Sequence, residues 1–174
     1  LAESFYTLDE ESSIIKIVNN TLPKRYNSYE KDSFGSATED AGIIKANVEK
    51  RLKKSKEIKD EMKNLPRFSL YGEPNSNNLV VSWGSTKGAI IDAIKDLDVE
   101  FIHIKYLEPF SDIIKENLLN KNLIFVENSS TGKIAEVISS KTGIQIEEGK
   151  KILRYDGRPF FADELREEIK KRLK

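Results

Sequence analysis

Apolar positions follow two different patterns along this chain, and the change falls near residue 66. Residues 1–40 are poor in apolar side chains and read as loops with one short helix, at the apolar patch of residues 13–18. Residues 23–40 are rich in Ser, Asn, Tyr and charge. A patternless stretch of that length is uncommon inside a compact domain, so it is expected to be poorly ordered or to pack on another chain. Residues 42–64 form the clearest helix: Ile44, Val48, Leu52, Ser55, Ile58 and Met62 recur at helical spacing along one face. Thr38-Glu39-Asp40 supplies capping chemistry at its start, and Asn64-Leu65-Pro66 ends it. Beyond Pro66 the pattern becomes strand alternating with helix. Strands are predicted at residues 68–71, 79–83, 99–104 and 123–126, with a last short one marked by Ile144 and Ile146. Helix faces are predicted at Ala89/Ile90/Ala93/Ile94/Leu97, Ile113/Ile114/Leu118/Leu119, Ile134/Ala135/Val137/Ile138 and Leu165/Ile169/Leu173. Such alternation means βαβ units and a mostly parallel sheet, and continuous apolar strands mean a sheet covered on both faces.

Charge and composition narrow the function. The chain has 174 residues with 29 Lys+Arg and 29 Asp+Glu, a balance that gives no basic field to hold nucleic acid. Nor is a membrane surface expected, since no apolar run approaches the ~20 residues of a span. The start, Leu1-Ala2-Glu3-Ser4, has neither the basic nor the apolar segment of a signal peptide, so a cytoplasmic location is expected. It also lacks Met, and a processed, cut or engineered start is the expected reason. There is no cysteine, which excludes disulfides, thiolate zinc sites, cysteine-ligated iron–sulfur clusters and cysteine nucleophiles on this chain. His103 is the only histidine, so a multi-histidine metal site is excluded too.

Candidate chemistry lies in loops that follow the predicted strands, where open α/β sheets bind ligands. The first is Gly84-Ser85-Thr86-Lys87-Gly88, small residues that let backbone N–H groups approach an anion at a helix start; it reads equally as a tight turn capped by Ser85 or Thr86. The second is Glu127-Asn128-Ser129-Ser130-Thr131-Gly132. Glu127 there is an ionisable group at a strand's carboxyl end, or else a residue that holds the loop or pairs across an interface. Arg158, in Tyr155-Asp156-Gly157-Arg158-Pro159-Phe160, is expected to pair with Asp156, the alternative being a clamp on a carboxylate or phosphate. His103 is expected to be a packed, hydrogen-bonded core histidine rather than a catalytic base. The eight basic and four acidic residues from Lys45 to Lys63 read as a solvated face, or as a phosphate-binding one. No acid/base pair, nucleophile system or metal cluster emerges, so no catalytic or metal-binding residue is assigned.

As an ordered set these motifs resemble a known family. Val81-Ser82-Trp83-Gly84-Ser85-Thr86-Lys87-Gly88-Ala89-Ile90 is similar to the opening of the transketolase C-terminal-like domain in α subunits of 2-oxoacid:ferredoxin oxidoreductases. Tyr106-Leu107-Glu108-Pro109-Phe110, Val126-Glu127-Asn128 with Thr131-Gly132, and Ile152-Leu153-Arg154-Tyr155-Asp156-Gly157-Arg158-Pro159-Phe160 resemble that domain's later motifs in order. Upstream, Tyr29-Glu30-Lys31-Asp32-Ser33-Phe34-Gly35 resembles the segment leaving the family's pyrimidine-binding domain. Lys31 stands where the family often has His between the two acids, which puts in doubt any polar role carried by that segment.

The resemblance implies a three-layer α/β/α fold with five strands in the order 1-3-2-4-5, the first antiparallel, preceded by an irregular segment and a long helix. Residues 68–71 would then form an edge strand beside 99–104, and 79–83 would lie next to 123–126. The loops 84–88 and 127–132 would face one crevice. The implied division is residues 1–41 as the tail of the pyrimidine-binding domain, 42–66 as a linking helix and 67–174 as the α/β domain. The implied activity is oxidative decarboxylation of a 2-oxoacid to acyl-coenzyme A, with electrons passed to ferredoxin. Thiamine diphosphate, Mg²⁺ and an iron–sulfur cluster would be held by other parts of the complex, and none by this chain. Its partners would be the upstream part of the α subunit and a cluster-bearing β subunit, and the isolated chain is expected to be inactive. A different class stays open, a small-anion or nucleotide-binding domain using the 84–88 and 127–132 loops.

Overall fold

The computed structural model describes residues 27–174 in full, together with the backbone of two short strands, β1 (Tyr6–Leu8) and β2 (Ile15–Ile17). The expectations for the rest of residues 1–26 lie outside the described residues. The chain divides into two compact units, Leu1–Leu65 and Pro66–Lys174.

In the first unit β1 and β2 pair antiparallel, Tyr6 opposite Ile17 and Leu8 opposite Ile15. The expected short helix is therefore corrected to a strand over Ile15–Ile17; two β-branched residues flanking one lysine suit an extended backbone better than a helical one. Helix α1 (Ala41–Glu61) continues into a 3₁₀ turn, Met62–Asn64, before Pro66. Asp40 caps it, accepting from the Ile43 N–H at 2.9 Å. None of its residues is buried.

Within residues 27–40, Glu30, Lys31 and Asp40 are bonded to α1. Glu30 takes a bidentate pair of bonds from Arg51 (2.6 and 3.1 Å) and a third from Asn47 (3.1 Å). These bonds, Arg51's foremost, hold the Glu30 carboxyl below its ordinary range. Asp32 closes the adjacent turn by accepting from the N–H groups of Phe34 and Ser36. The two acids flanking Lys31 thus have structural work of their own.

In the second unit a five-stranded sheet runs in the order β3-β5-β4-β6-β7. Its strands are β3 (Phe68–Gly72), β4 (Asn78–Trp83), β5 (Glu100–Ile104), β6 (Asn122–Glu127) and β7 (Lys151–Leu153). β3 pairs antiparallel with β5, and every other pairing is parallel. The edge position of residues 68–71 and the adjacency of 79–83 to 123–126 are as expected. Alternate strand residues feed two cores, as a pleated strand requires. Val80, Phe101, Ile124 and Val126 meet Ile90 and Ala93 of α2 (Lys87–Ala93) and Leu165 and Ile169 of α5 (Ala162–Lys170). Val81, Ile102, Ile104 and Phe125 meet Ile114 and Leu118 of α3 (Asp112–Leu118) and Ile134 and Ile138 of α4 (Lys133–Thr142). Each Val, Leu, Ile or Phe among them, fully buried, stabilises the fold by roughly 1.5–3 kcal/mol.

The last strand is not where Ile144 and Ile146 placed it. Those two isoleucines are partly buried against the α3/α4 core without joining the sheet, and Lys151–Leu153 takes the edge beside β6. An apolar alternation is satisfied by any apolar surface of the right spacing; only the hydrogen-bond ladder distinguishes a strand from an extended connection.

Candidate functional site

β4 and β6 are parallel neighbours, but the chain leaves them for opposite faces, to α2 and to α4. That divergence opens a crevice beyond their carboxyl ends, the place where open α/β sheets bind ligands. Buried hydroxyls stitch its floor. Ser82 Oγ donates to the Val126 carbonyl at 2.6 Å and lies 2.5 Å from Thr86 Oγ1. Gly84 takes a left-handed backbone (φ +65°), and its carbonyl accepts from His103 Nε2 at 3.2 Å.

Glu127 is buried at the end of β6. Its Oε2 accepts from the Ile134 N–H in the first turn of α4 (3.0 Å), and its Oε1 accepts from the Trp83 indole N–H at 3.4 Å. A carboxylate at a helix start is favoured by the orphan N–H groups and the helix dipole. Glu127 therefore occupies the position that an exogenous anion would seek at α4. Gly132 makes the turn possible with φ +70°; a Cβ there would come within 3.2 Å of Leu153 and Lys151 side-chain carbons. Its N–H donates to Ser129 Oγ at 2.8 Å.

A cleft of about 520 Å³ lies beside this floor, and Ser85, Thr86, Asn128, Tyr155, Arg158 and Phe160 are among its walls. The structure thus brings together Ser85, Thr86, Asn128 and Arg158. Gly84, Glu127, Thr131 and Gly132 do not line the cleft, and neither does Lys87, whose Nζ sits 5.0 Å from the centre of the Tyr71 ring. Arg158 differs from its expected pairing: Asp156 Oδ1 accepts from the Arg158 backbone N–H at 3.0 Å, not from its guanidinium. The residue that pins this loop is Arg154, which donates to the Pro159 carbonyl (2.7 Å) and to Glu164 (3.0 Å) and lies 3.4 Å from Asp156. Its guanidinium also sits against the rings of Phe160 and Phe161. The signal for Arg154 was the spacing Arg154-x-Asp156, which a reading centred on Arg158 passes over. His103 is half-buried, with its ring 5.9 Å from Phe101. Burial first, then the charges of Lys87 and Lys105, hold its imidazole below the ordinary histidine range.

Fold and crevice together define a three-layer α/β/α domain with a switch point between β4 and β6. No family model matches the chain. It is 35% identical over 157 residues to the 2-oxoacid:ferredoxin oxidoreductase subunit alpha of Saccharolobus solfataricus, covering 86% of this chain and 24% of that one. It is 29% identical over 149 residues to the 2-oxoacid:ferredoxin oxidoreductase 2, subunit alpha, of Aeropyrum pernix, covering 82% and 23%. In fold it resembles the 2-oxoglutarate:ferredoxin oxidoreductase of Magnetococcus marinus, solved with 2-oxoglutarate, coenzyme A and succinyl-CoA bound. There the TM-score is 0.65 at 17% identity, over 99% of this chain and 31% of that one. The chain is thus similar to 2-oxoacid:ferredoxin oxidoreductase α subunits, and it spans about a quarter of the length of the curated relatives it matches.

Proposed function

We propose that this chain is the C-terminal portion of the α subunit of a thiamine diphosphate-dependent 2-oxoacid:ferredoxin oxidoreductase, and that it serves assembly and subunit contacts. The observation that carries the reading is homology to such α subunits over 86% of the chain. In the complete complex a 2-oxoacid is decarboxylated and oxidised, its acyl group passes to coenzyme A and its electrons to ferredoxin; the working location is the cytoplasm. The ordinary iron–sulfur cluster needs cysteine thiolates. This chain has none, so such a cluster does not fit here. Among the described residues no group of three or more His, Cys, Asp or Glu side chains is placed to hold a metal ion. No helix among them is long and apolar enough to cross a membrane. Catalysis then belongs to the upstream part of the α subunit and to the cluster-bearing β subunit. The test supplies pyruvate or 2-oxoglutarate, coenzyme A, thiamine diphosphate, Mg²⁺ and a viologen dye. The chain alone is expected to leave the dye oxidised, and the chain restored with its upstream segment and β subunit to reduce it. Dye reduction by the pure chain, lost on substituting Glu127 or Lys87, overturns the proposal.

The cleft beside Ser85, Asn128 and Arg158 favours a second reading, a small-anion or nucleotide-binding domain. Calorimetry with coenzyme A and simple phosphates separates it from pure assembly. Heat lost in Arg158→Gln supports it, and no heat with either ligand refutes it.

A further inference from the structure

The cleft of about 520 Å³ beside the switch point has two arginines and no carboxylate among its walls. Its volume lies within the roughly 300–1,000 Å³ of small-molecule sites. Some of its walls are already engaged within the fold. Thr86 Oγ1 is taken up by Ser82 and the Trp83 carbonyl, and the Arg154 guanidinium by Pro159, Glu164 and the Phe160 ring. Asn128 Nδ2 donates to the Arg158 carbonyl at 3.4 Å. Only the amino end of an amide can donate to a carbonyl, so Oδ1 is left as the acceptor on that wall. Arg158 gives Asp156 its backbone N–H, which leaves the guanidinium out of that bond. Tyr155 lines the cleft and is 74% exposed.

The turn that carries Tyr155 and Arg158 is fixed from within. One oxygen of Asp156 accepts from the Arg158 N–H at 3.0 Å, the other lies 3.4 Å from Arg154, and Arg154 also holds the Pro159 carbonyl at 2.7 Å. A ring and a guanidinium on one pinned turn lose little freedom when a ligand arrives. Each of the three available groups suits a different part of a nucleotide. An aromatic face stacks a base, a guanidinium fits a phosphate with two parallel bonds, and an amide oxygen accepts from an exocyclic amino group. A bare anion needs only the second of these. We propose that the cleft binds a free adenine mononucleotide, with its base on the Tyr155 ring, its amino group donating to Asn128 Oδ1 and its phosphate on Arg158. The inference rests on the anion- or nucleotide-binding reading of this cleft and names the ligand for it.

The experiment titrates the isotopically labelled full chain and follows the amide signals of Tyr155, Gly157 and Arg158 by NMR. The probes are AMP, IMP, adenosine, inorganic phosphate and coenzyme A at matched ionic strength. AMP is expected to shift these signals and to saturate. Adenosine, which lacks the phosphate, should bind roughly tenfold more weakly. IMP, in which an oxo group replaces the amino group, should also bind roughly tenfold more weakly. Tyr155 and Arg158 are both exposed, so substituting them leaves the fold in place. Arg158→Gln should reduce AMP to the affinity of adenosine and leave adenosine unchanged. Tyr155→Ala should weaken AMP and adenosine by the same factor, roughly tenfold. Phosphate that binds as tightly as AMP and ignores Tyr155→Ala overturns the nucleotide and leaves the anion reading standing. IMP equal to AMP overturns the adenine assignment. Coenzyme A bound tenfold more tightly than AMP gives the cleft to the acyl carrier and overturns a free-nucleotide site. Signals unmoved by any of the probes overturn both this inference and the reading on which it rests.

Discussion

Glu127 shows how one side chain can look catalytic in a sequence and be consumed by the fold. Its two oxygens cap α4 at Ile134 and hold the Trp83 indole. Removing the carboxylate leaves the Ile134 N–H buried with no acceptor, a loss of about 1–3 kcal/mol. Glu127→Ala should therefore lower the urea midpoint, and Glu127→Gln, which keeps one acceptor oxygen, should lower it less. Equal midpoints for wild type and the alanine variant would contradict the capping role. A polar residue ending β6 was legible in the sequence. Its partners were not, because one is 44 residues upstream and comes into reach only when β4 and β6 pair. Arg154 and Arg158 teach the same lesson. Their spacing to Asp156 is the same, and the turn decides that Arg154 offers its guanidinium and Arg158 its backbone N–H.

At the level of elements, α1 has the helical period that the sequence announces, yet Val48 remains 41% exposed and Leu52 66%. Period specifies a helix and its apolar side; it does not supply the surface that covers it. Capping then matters more, because little burial compensates for a frayed end. Asp40→Ala should destabilise α1 by about 1 kcal/mol. Amide exchange at residues 43–46 should quicken, while exchange within β4 and β6 stays unchanged. Exchange at 43–46 as slow as in wild type would show that the Asp40 bond is dispensable. The two misplaced elements, at Ile15–Ile17 and at Ile144/Ile146, share a cause. Both are short apolar patches in which the local pattern does not choose between helix, strand and extended connection.

Across the second unit, the amino ends of the strands are tied to the last residues of the sequence. Asn78 Oδ1 accepts from Asn122 Nδ2 (2.7 Å) and from the Lys174 N–H (3.0 Å). Lys150 Nζ donates to Asn122 Oδ1 (2.6 Å) and to the Arg172 carbonyl (3.1 Å). Both asparagines are buried, so each bond lost leaves a desolvated group behind. Asn78→Ala and removal of residues 172–174 should each cost about 1–3 kcal/mol. Because they break one network, the double change should cost clearly less than the sum, as a denaturant double-mutant cycle would measure. Full additivity would mean that the network is not shared.

Local spacing determined most of the architecture. Continuous apolar runs separated by helical faces dictate a covered, mostly parallel sheet, because no other arrangement buries both sides of such strands. The ordered motifs carried a family resemblance, and the strand order came with it. Tertiary structure alone decided what the polar residues do. Glu127 became a helix cap, Arg154 the pin of the 155–160 loop, and Lys87 left the crevice for Tyr71. The physical reason is reach: burial of an apolar side chain is favourable against any apolar neighbour, whereas a hydrogen bond or ion pair needs a particular atom within about 3 Å. Chain topology brings that atom into place.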